Sequence, residues 1–347
     1  MDLTKFKETF DELLEVYVKD KIEDAQNLLD DKRLNKMIEY VHTFMFSGGK
    51  RIRPYVLYLT YKGLGGEKDD AIFRFGIVFE LLHSMALIHD DIIDKSQRRH
   101  NVSTIHYFIY KLLRKKNLHI AQSQALLIGD LLLSWVYELW YQNHDFDDKL
   151  LYNARKNVHR MIEEVILGQM IDVDMMLLEP TTGKMIEKKN QYKTASYTFT
   201  RPMLTGAILA GVDKSILENI RALGDYLGMA FQVRDDLKDI LATEIDKRIF
   251  SDIQEGQQTF FTQYVFENGS DKDIRLLKRS LGKNLSGYRI KKLQNMFQKT
   301  GAIDFGKDLI KKYADESQHI LSKIQFSDQN YKMFFESLIN KLSSLAI

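Results

Sequence analysis

Apolar residues recur at helical spacing along almost the whole chain. Leu13, Leu14, Val16 and Tyr17 form one such run, and Phe75, Val78, Phe79, Leu82 and Met85 form another. Strand-type alternation bounded by turn pairs is hard to find. Only three prolines, Pro54, Pro180 and Pro202, interrupt the chain, which predicts long helices. Breaks are expected at Ser47-Gly48-Gly49, Gly63 to Asp70, Asn143 to Asp148, Glu179 to Gly183, Gly211-Val212-Asp213 and Asn268 to Asp271. The most apolar stretch, Ala125 to Trp140, contains Asp130 and Glu138. It is too short and too charged to span a bilayer and reads as a buried helix. No linker, low-complexity tract or solenoid repeat is visible. The expectation is a single all-α domain over residues 1–347 without a transmembrane segment.

Composition narrows the chemistry. The 347 residues are enough for a large core, and 44% hydrophobic with 28% charged is ordinary for a folded protein. A net charge of +2 gives no global basic field, so nucleic acid is not an expected partner and any anion site must be local. The absence of cysteine excludes a disulfide scaffold, a thiolate nucleophile and Cys-ligated zinc or iron–sulfur. It suits a reducing cytosol, and residues 1–10 lack the uninterrupted apolar core of a signal peptide, so a cytoplasmic location is expected.

The sharpest feature is Asp90-Asp91-Ile92-Ile93-Asp94, which returns as Asp235-Asp236-Leu237-Lys238-Asp239. Residues four apart share a helix face, so Asp90 projects with Asp94 and Asp235 with Asp239. Like charges at that spacing call for a cation. Each motif ends an apolar run, Leu81 to Ile88 or Met229 to Val233, which predicts partial burial. Clustered carboxylates suit a hard ion, and Mg²⁺ commonly bridges a few carboxylates to substrate phosphates. The bland reading is two acidic helix ends on a solvated face, which serves better for one copy than for two. A calcium site and a carboxylate-bridged di-metal oxidase are the other readings. The oxidase wants paired Glu-x-x-His motifs, and only Glu80-Leu81-Leu82-His83 is present.

Gly48-Gly49-Lys50-Arg51-Ile52-Arg53-Pro54 sets three cations beside two glycines. Glycine lets backbone amides approach an anion, and Arg and Lys together can grip a diphosphate as fork and point charge. Pro54 suits the first turn of a following helix. By itself the segment could equally be a basic loop before a helix. Arg98-Arg99 follows the first acidic motif closely, as a surface ion pair would or as a phosphate grip would. His83 lies two helical turns before Asp90 on the same face, and a lone His on an apolar helix is as readily structural as functional.

Together these blocks resemble the trans-isoprenyl diphosphate synthases, also called polyprenyl synthetases. The likeness runs from about Ser47 to Thr259. It continues through Ile88-His89 before the first motif, Gly129-Asp130, Gly168-Gln169, Lys193-Thr194 and Phe231-Gln232 before the second motif. Class I terpene cyclases share the first motif but lack the Gly-Gly-Lys-Arg loop and the second. The resemblance implies an isoprenoid-synthase-type bundle of long antiparallel helices around a central cavity, as a homodimer. It implies that Asp90, Asp91, Asp94 and Asp235 place a cluster of Mg²⁺ ions on an allylic diphosphate, with Asp236 and Asp239 completing the second motif. Arg98, Lys193 and Lys247 would grip that diphosphate. Lys50, Arg53, His83 and Arg99 would hold isopentenyl diphosphate. Thr194, Gln232 and the Lys193 carbonyl would line the path of the allylic cation. Three positions depart from the pattern: His100 replaces the glycine usual after the arginine pair, Asp246-Lys247-Arg248 stands for Gly-Lys-Pro, and Gln257 replaces a lysine.

The implied reaction is Mg²⁺-dependent head-to-tail condensation of isopentenyl diphosphate with dimethylallyl, geranyl or farnesyl diphosphate. Met85 and Ala86, with Leu82 one turn deeper, stand where family members set the floor for the growing tail. A methionine beside an alanine favours a C20 product, geranylgeranyl diphosphate, over C15 or C25. A terpene cyclase and a non-catalytic helical subunit are the rival functions.

Overall fold

The computed structural model describes residues 2–176, 180–242 and 249–344. The elements in order are α1 (Leu3–Asn27), α2 (Lys32–Phe46), α3 (Ile52–Gly63), α4 (Asp69–Ile93), β1 (Arg98–Arg99), β2 (Val102–Ser103), α5 (Ile105–Leu112), α6 (Leu118–Gln142), α7 (Asp148–Met175) and α8 (Gly183–Asn190). A π-helical segment (Gln191–Thr200) follows, then α9 (Arg201–Leu209), α10 (Lys214–Leu241), α11 (Ser251–Glu255), α12 (Phe260–Asn268), α13 (Asp271–Lys278), α14 (Gly287–Lys299), α15 (Ala302–Leu321) and α16 (Gln329–Ser343). The protein is all-α, as the apolar periodicity predicts. The helix ends are chemically marked. Asp31, Asn117, Thr182, Asp213 and Ser286 each accept from a first-turn backbone N–H, satisfying donors that have no partner inside the helix.

The chain forms two compact units, one of Met1–Leu59 with Glu67–Tyr152 and one of Thr60–Gly66 with Asn153–Ile347. In the first, α4 is the core helix. Fifteen of its residues are buried, including Phe75, Val78, Phe79, Leu82 and Met85. It is long and apolar enough to cross a membrane by composition, yet 78% of its most apolar window is buried in the protein. Phe6 and Phe10 of α1 stack beside Phe73 of α4, and α4 also packs along α6. On α6, Ala125, Ile128, Leu132, Trp135 and Val136 are buried. Leu126, Leu127 and Tyr137 are exposed, so the stretch read as a buried helix is buried on one face only.

In the second unit, α10 packs against α15, α9 and the π-helical segment. That segment fits because two helices present no side chain to it. A Cβ on Gly228 would lie 2.3 Å from the Ala195 Cα, and one on Gly168 would lie 2.6 Å from the Lys193 backbone N. Its C-terminal end is tied by a buried polar network. Arg201 donates from Nε to Glu164 at 2.9 Å and from Nη1 to Asn157 at 2.8 Å, and Ser196 also bonds Glu164. Arg201 and Ser196 hold the Glu164 carboxyl below the usual range even though burial pushes it up.

The expected breaks at 47–49, 63–70, 143–148, 211–213 and 268–271 are all helix ends. The expected break at 179–183 begins at Glu179, outside the described residues, and α8 starts at Gly183. The hairpin of β1 and β2 and the π-helical segment are additions to the sequence reading. Both are too short, or too helix-like, to leave a periodic signal of their own.

Candidate functional site

In the first unit, α4 ends on the first acidic motif. Asp90 and Asp91 lie in its last turn, and the Asp94 amide caps it by donating to the Asp90 carbonyl at 2.8 Å. Asp91 is fully buried, and the Arg99 guanidinium covers it, with Nη2 2.8 Å and Nε 2.9 Å from Oδ1. The same Nη2 is 3.7 Å from Asp90. Those three aspartates raise the Arg99 pKa against the effect of its burial. Arg98, next on the same two-residue strand, is exposed and donates to the Asn101 carbonyl at 2.6 Å.

One turn and more back along α4, His83 faces a different field. Burial first, then the positive charges of Arg53, Arg99, Arg51 and His100, press its pKa well below the ordinary imidazole value. His83 is therefore neutral at physiological pH and sits at the middle of a cationic patch. Lys50 is exposed in the adjoining glycine loop and Arg53 is half-buried. Arg51 has a different job. Its backbone is left-handed at φ 53°, and its side chain is 5% exposed. Nε reaches Asp11 at 2.6 Å, Nη1 reaches Glu80 at 2.9 Å and Nη2 donates to the Met45 carbonyl at 2.9 Å. Of the three cations in the loop, the middle one is a structural pin. Glu80, the acid of the lone Glu-x-x-His, pairs with that pin through Oε2.

His89, just before the first motif, lies over Gly129 of α6, where a Cβ would come within 2.2 Å of its Nε2. Leu82 and Met85 are buried, and Ala86 is half-buried.

In the second unit, α10 carries the second motif. Asp235 is exposed, Asp239 half-buried and Asp236 buried. Gln232 donates to Asp236 Oδ1 at 2.5 Å, while Asp236 Oδ2 is buried without a hydrogen-bond partner. Burial, with Asp235 and Asp239 nearby, pushes the Asp236 carboxyl up to about 7 against the opposing pull of Lys189. Asp239 is committed elsewhere. Its Oδ1 accepts from the Ser251 amide at 2.8 Å and hydroxyl at 2.7 Å, and its Oδ2 accepts from the Asp252 amide at 3.2 Å. It tethers the start of α11 to the end of α10.

Two acids absent from the sequence reading join this cluster. Asp252 is raised well above the usual carboxylate range by burial, Asp236 and Asp239. Asp172 of α7 is 1% exposed and takes Lys193 at 2.6 Å and Lys189 at 3.3 Å. Burial pushes the Asp172 pKa up, but the two lysines outweigh it and hold it low. Asp172 had a signal, since it stands one helical turn after Gly168-Gln169, close below an apolar run. Asp252 had none beyond its distance from the second motif. Lys193 and Thr194 are half-buried in the π-helical segment, a geometry frequent at functional sites. Lys247 lies outside the described residues. Gln257, which departs from the family pattern, is buried, with Oε1 lacking a hydrogen-bond partner.

These donor sets fit Mg²⁺. They are hard oxygens, and Asp236 adds a buried carboxylate oxygen without a hydrogen-bond partner and a proton affinity raised first by burial and further by Asp235 and Asp239. Among the described residues no three such side chains converge into a ready-made metal cage. Mg²⁺ keeps several waters and binds through one or two carboxylates plus substrate phosphates, so a complete cage is not required.

Comparison with known proteins agrees with this chemistry. The sequence model described as polyprenyl synthetase matches residues 31–297. A geranylgeranyl diphosphate synthase of Sulfolobus acidocaldarius is 27% identical over 88% of this chain and 91% of its own. A short chain isoprenyl diphosphate synthase of Methanocaldococcus jannaschii is 28% identical over 71% of this chain and 72% of its own. Among solved structures, a Corynebacterium glutamicum geranylgeranyl pyrophosphate synthase, complexed with isoprenyl diphosphate and magnesium, superposes with a TM-score of 0.89 at 24% identity, covering 99% of this chain and 100% of that one.

Proposed function

Since the chain belongs to the polyprenyl synthetase family, we propose that it condenses isopentenyl diphosphate head to tail with an allylic diphosphate, yielding geranylgeranyl diphosphate. The observation that carries this reading is neutral His83 set among Arg53, Arg99, Arg51 and His100 on the helix that ends in the first acidic motif. Positive charge gathered around a neutral donor suits a diphosphate. Lys50, Arg53, His83 and Arg99 are assigned to isopentenyl diphosphate, and Arg98, Lys193 and Lys247 to the allylic diphosphate.

Asp90, Asp91, Asp94, Asp235 and Asp236 are assigned to Mg²⁺, with Asp239 positioning the second motif through α11. Mg²⁺ held there would offset the charge that grows on the departing diphosphate. The allylic C–O bond breaks, the isopentenyl double bond attacks the allylic cation, and a proton leaves to the released diphosphate. Gln232, fixed by its bond to Asp236, Thr194 and the Lys193 carbonyl supply partial negative charge along that path. Apolar side chains such as Leu82 and Met85 keep water from the cation.

The homodimer belongs to the same proposal. Ile166, Met170 and Val173 stand exposed at helical spacing on α7, as do Leu126 and Leu127 on α6, and a second copy would cover them. The whole chain acting as one synthase domain in the cytoplasm completes the reading.

The test is incubation of the full chain with Mg²⁺, isopentenyl diphosphate and each of dimethylallyl, geranyl and farnesyl diphosphate. Elongation to a C20 diphosphate supports the proposal. Hydrocarbon release from a finished diphosphate would indicate a cyclase, and inertness a non-catalytic subunit.

A further inference from the structure

We propose that His100 is an additional contact for isopentenyl diphosphate, added to the patch of Lys50, Arg53, His83 and Arg99. The proposal rests on the function proposed above.

The first observation is the backbone. His100 and Asn101 make the turn between β1 and β2 with φ 45° and 67°, both left-handed. A two-residue hairpin turn of this kind wants φ positive at both central positions, for which glycine is the least strained choice. Resemblance to the family puts glycine at 100. An imidazole here therefore costs backbone energy that glycine would not. Histidine tolerates the left-handed region better than most residues, but it is still a strained choice. Strain that a single substitution could remove points to something the side chain does.

The second observation is where the ring lies. It rests on the glycine loop. A Cβ on Gly48 would be 2.9 Å from the His100 Cγ and 3.1 Å from Nδ1. The imidazole thus occupies the space a side chain at 48 would fill. The third observation is the field. His100 is one of the positive groups that bear on His83, together with Arg53, Arg99 and Arg51. His100 is exposed, so its ring can meet a ligand without unpacking the core. The ring thus joins the β1–β2 turn to the glycine loop, and its charge reaches His83 on α4. An imidazole at that junction can donate a hydrogen bond to a phosphate oxygen.

The experiment compares the wild-type full chain with His100→Gly and His100→Asn. Initial rates are measured with each diphosphate varied in turn, alongside thermal unfolding. Glycine relieves the turn, and asparagine tolerates it while lacking a ring that can be charged. Both variants should raise the KM for isopentenyl diphosphate about three- to tenfold, the range for loss of one partly solvated charge-assisted hydrogen bond. The allylic KM should move far less. His100→Gly should unfold no earlier than wild type, so the loss cannot be laid to a damaged fold. An unchanged isopentenyl KM in His100→Gly, or equal shifts in both KM values, overturns the assignment. The two readings fail separately. If the wild type does not elongate at all, the proposed function itself is wrong. If it elongates and His100→Gly matches it, only the role of His100 falls.

Discussion

Arg99 sits on Asp91, Nη2 to Oδ1 2.8 Å, and the carboxylate it covers is fully buried. A residue assigned to one substrate is therefore locked to the acidic motif assigned to the metal of the other. Truncating one partner leaves a buried charge uncompensated, which costs on the order of 3 kcal/mol. Arg99→Ala, which strands the buried Asp91 carboxylate, should lower both stability and turnover. Asp90→Ala and Asp235→Ala remove half-buried or exposed carboxylates and should lower kcat by about 10³-fold or more while circular dichroism and unfolding stay near wild type. EDTA should abolish turnover and Mg²⁺ restore it. Full activity without metal would remove the mechanism.

The second motif makes a pH prediction. Asp236 has an ordinary value near 4 when unfolded and about 7 when folded without metal. The folded state then holds the proton more tightly than the unfolded chain. Its contribution is favourable at low pH and is lost as pH rises through about 7. Metal-free protein should lose Tm between about pH 4 and 7, and Asp236→Asn should remove that part of the slope. The wild-type-minus-variant difference in Tm across that range is the readout. A difference independent of pH would show that the proton is not held there.

The diphosphate pockets should separate kinetically. Lys50→Ala and His83→Ala should mainly raise the KM for isopentenyl diphosphate, about tenfold for loss of a charged or donor contact. Lys247→Ala should act mainly on the allylic substrate. An isopentenyl dependence unchanged by Lys50→Ala would count against the assignment.

Much of this was legible because the chemistry is written in short runs. Two DDxxD motifs on apolar helices and a Gly-Gly-Lys-Arg loop announce themselves by type and spacing. What escaped is what depends on side chains far apart in sequence. Arg51 looks like the third finger of a phosphate grip, yet Asp11 and Glu80 make it a core pin. Asp239 reads as a metal ligand by its place in the motif, and only the return of the chain at Ser251 shows it capping α11. Asp172 stands one turn after Gly168-Gln169, but its sharing of Lys193 shows only in the fold, as does the π-helical segment that Gly168 and Gly228 face from two other helices.

That last dependence is testable. Gly228→Ala forces a Cβ against the Ala195 backbone at 2.3 Å, so the π-helical segment or α10 must move. Overpacking of this kind costs about 1–3 kcal/mol. Because Lys193 and Thr194 ride on that segment, kcat should fall more than stability alone explains. Gly211→Ala is the control, since its Cβ would meet nothing within 4 Å and only its φ of 75° is strained. Equal kinetic effects of the two substitutions would uncouple the segment from the chemistry.

Product length turns on Met85. It lies five residues before Asp90, about 7.5 Å along a helix, and Leu82 lies one turn deeper. Met85 is 6% exposed, Leu82 1%, and Ala86 is half-buried between them and the aspartates. A side chain at that depth meets a tail growing from the first motif after a few isoprene units. Methionine is slimmer and more adaptable than an aromatic ring, so it stops the tail later than phenylalanine would. It is longer than alanine, so it stops the tail sooner than an open shaft would. Ala86 leaves room beside it. The balance favours C20, with C25 the nearer alternative and C15 the more distant. Met85→Ala should lengthen the main product, and Met85→Phe should shorten it, as read by chromatography of the dephosphorylated alcohols. Both variants keep a buried apolar residue. Alanine should cost about 2–5 kcal/mol through the cavity it leaves, so the assay belongs at a temperature where it remains folded. Matching product distributions in the two variants would show that Met85 is core packing alone and that another helix sets the floor.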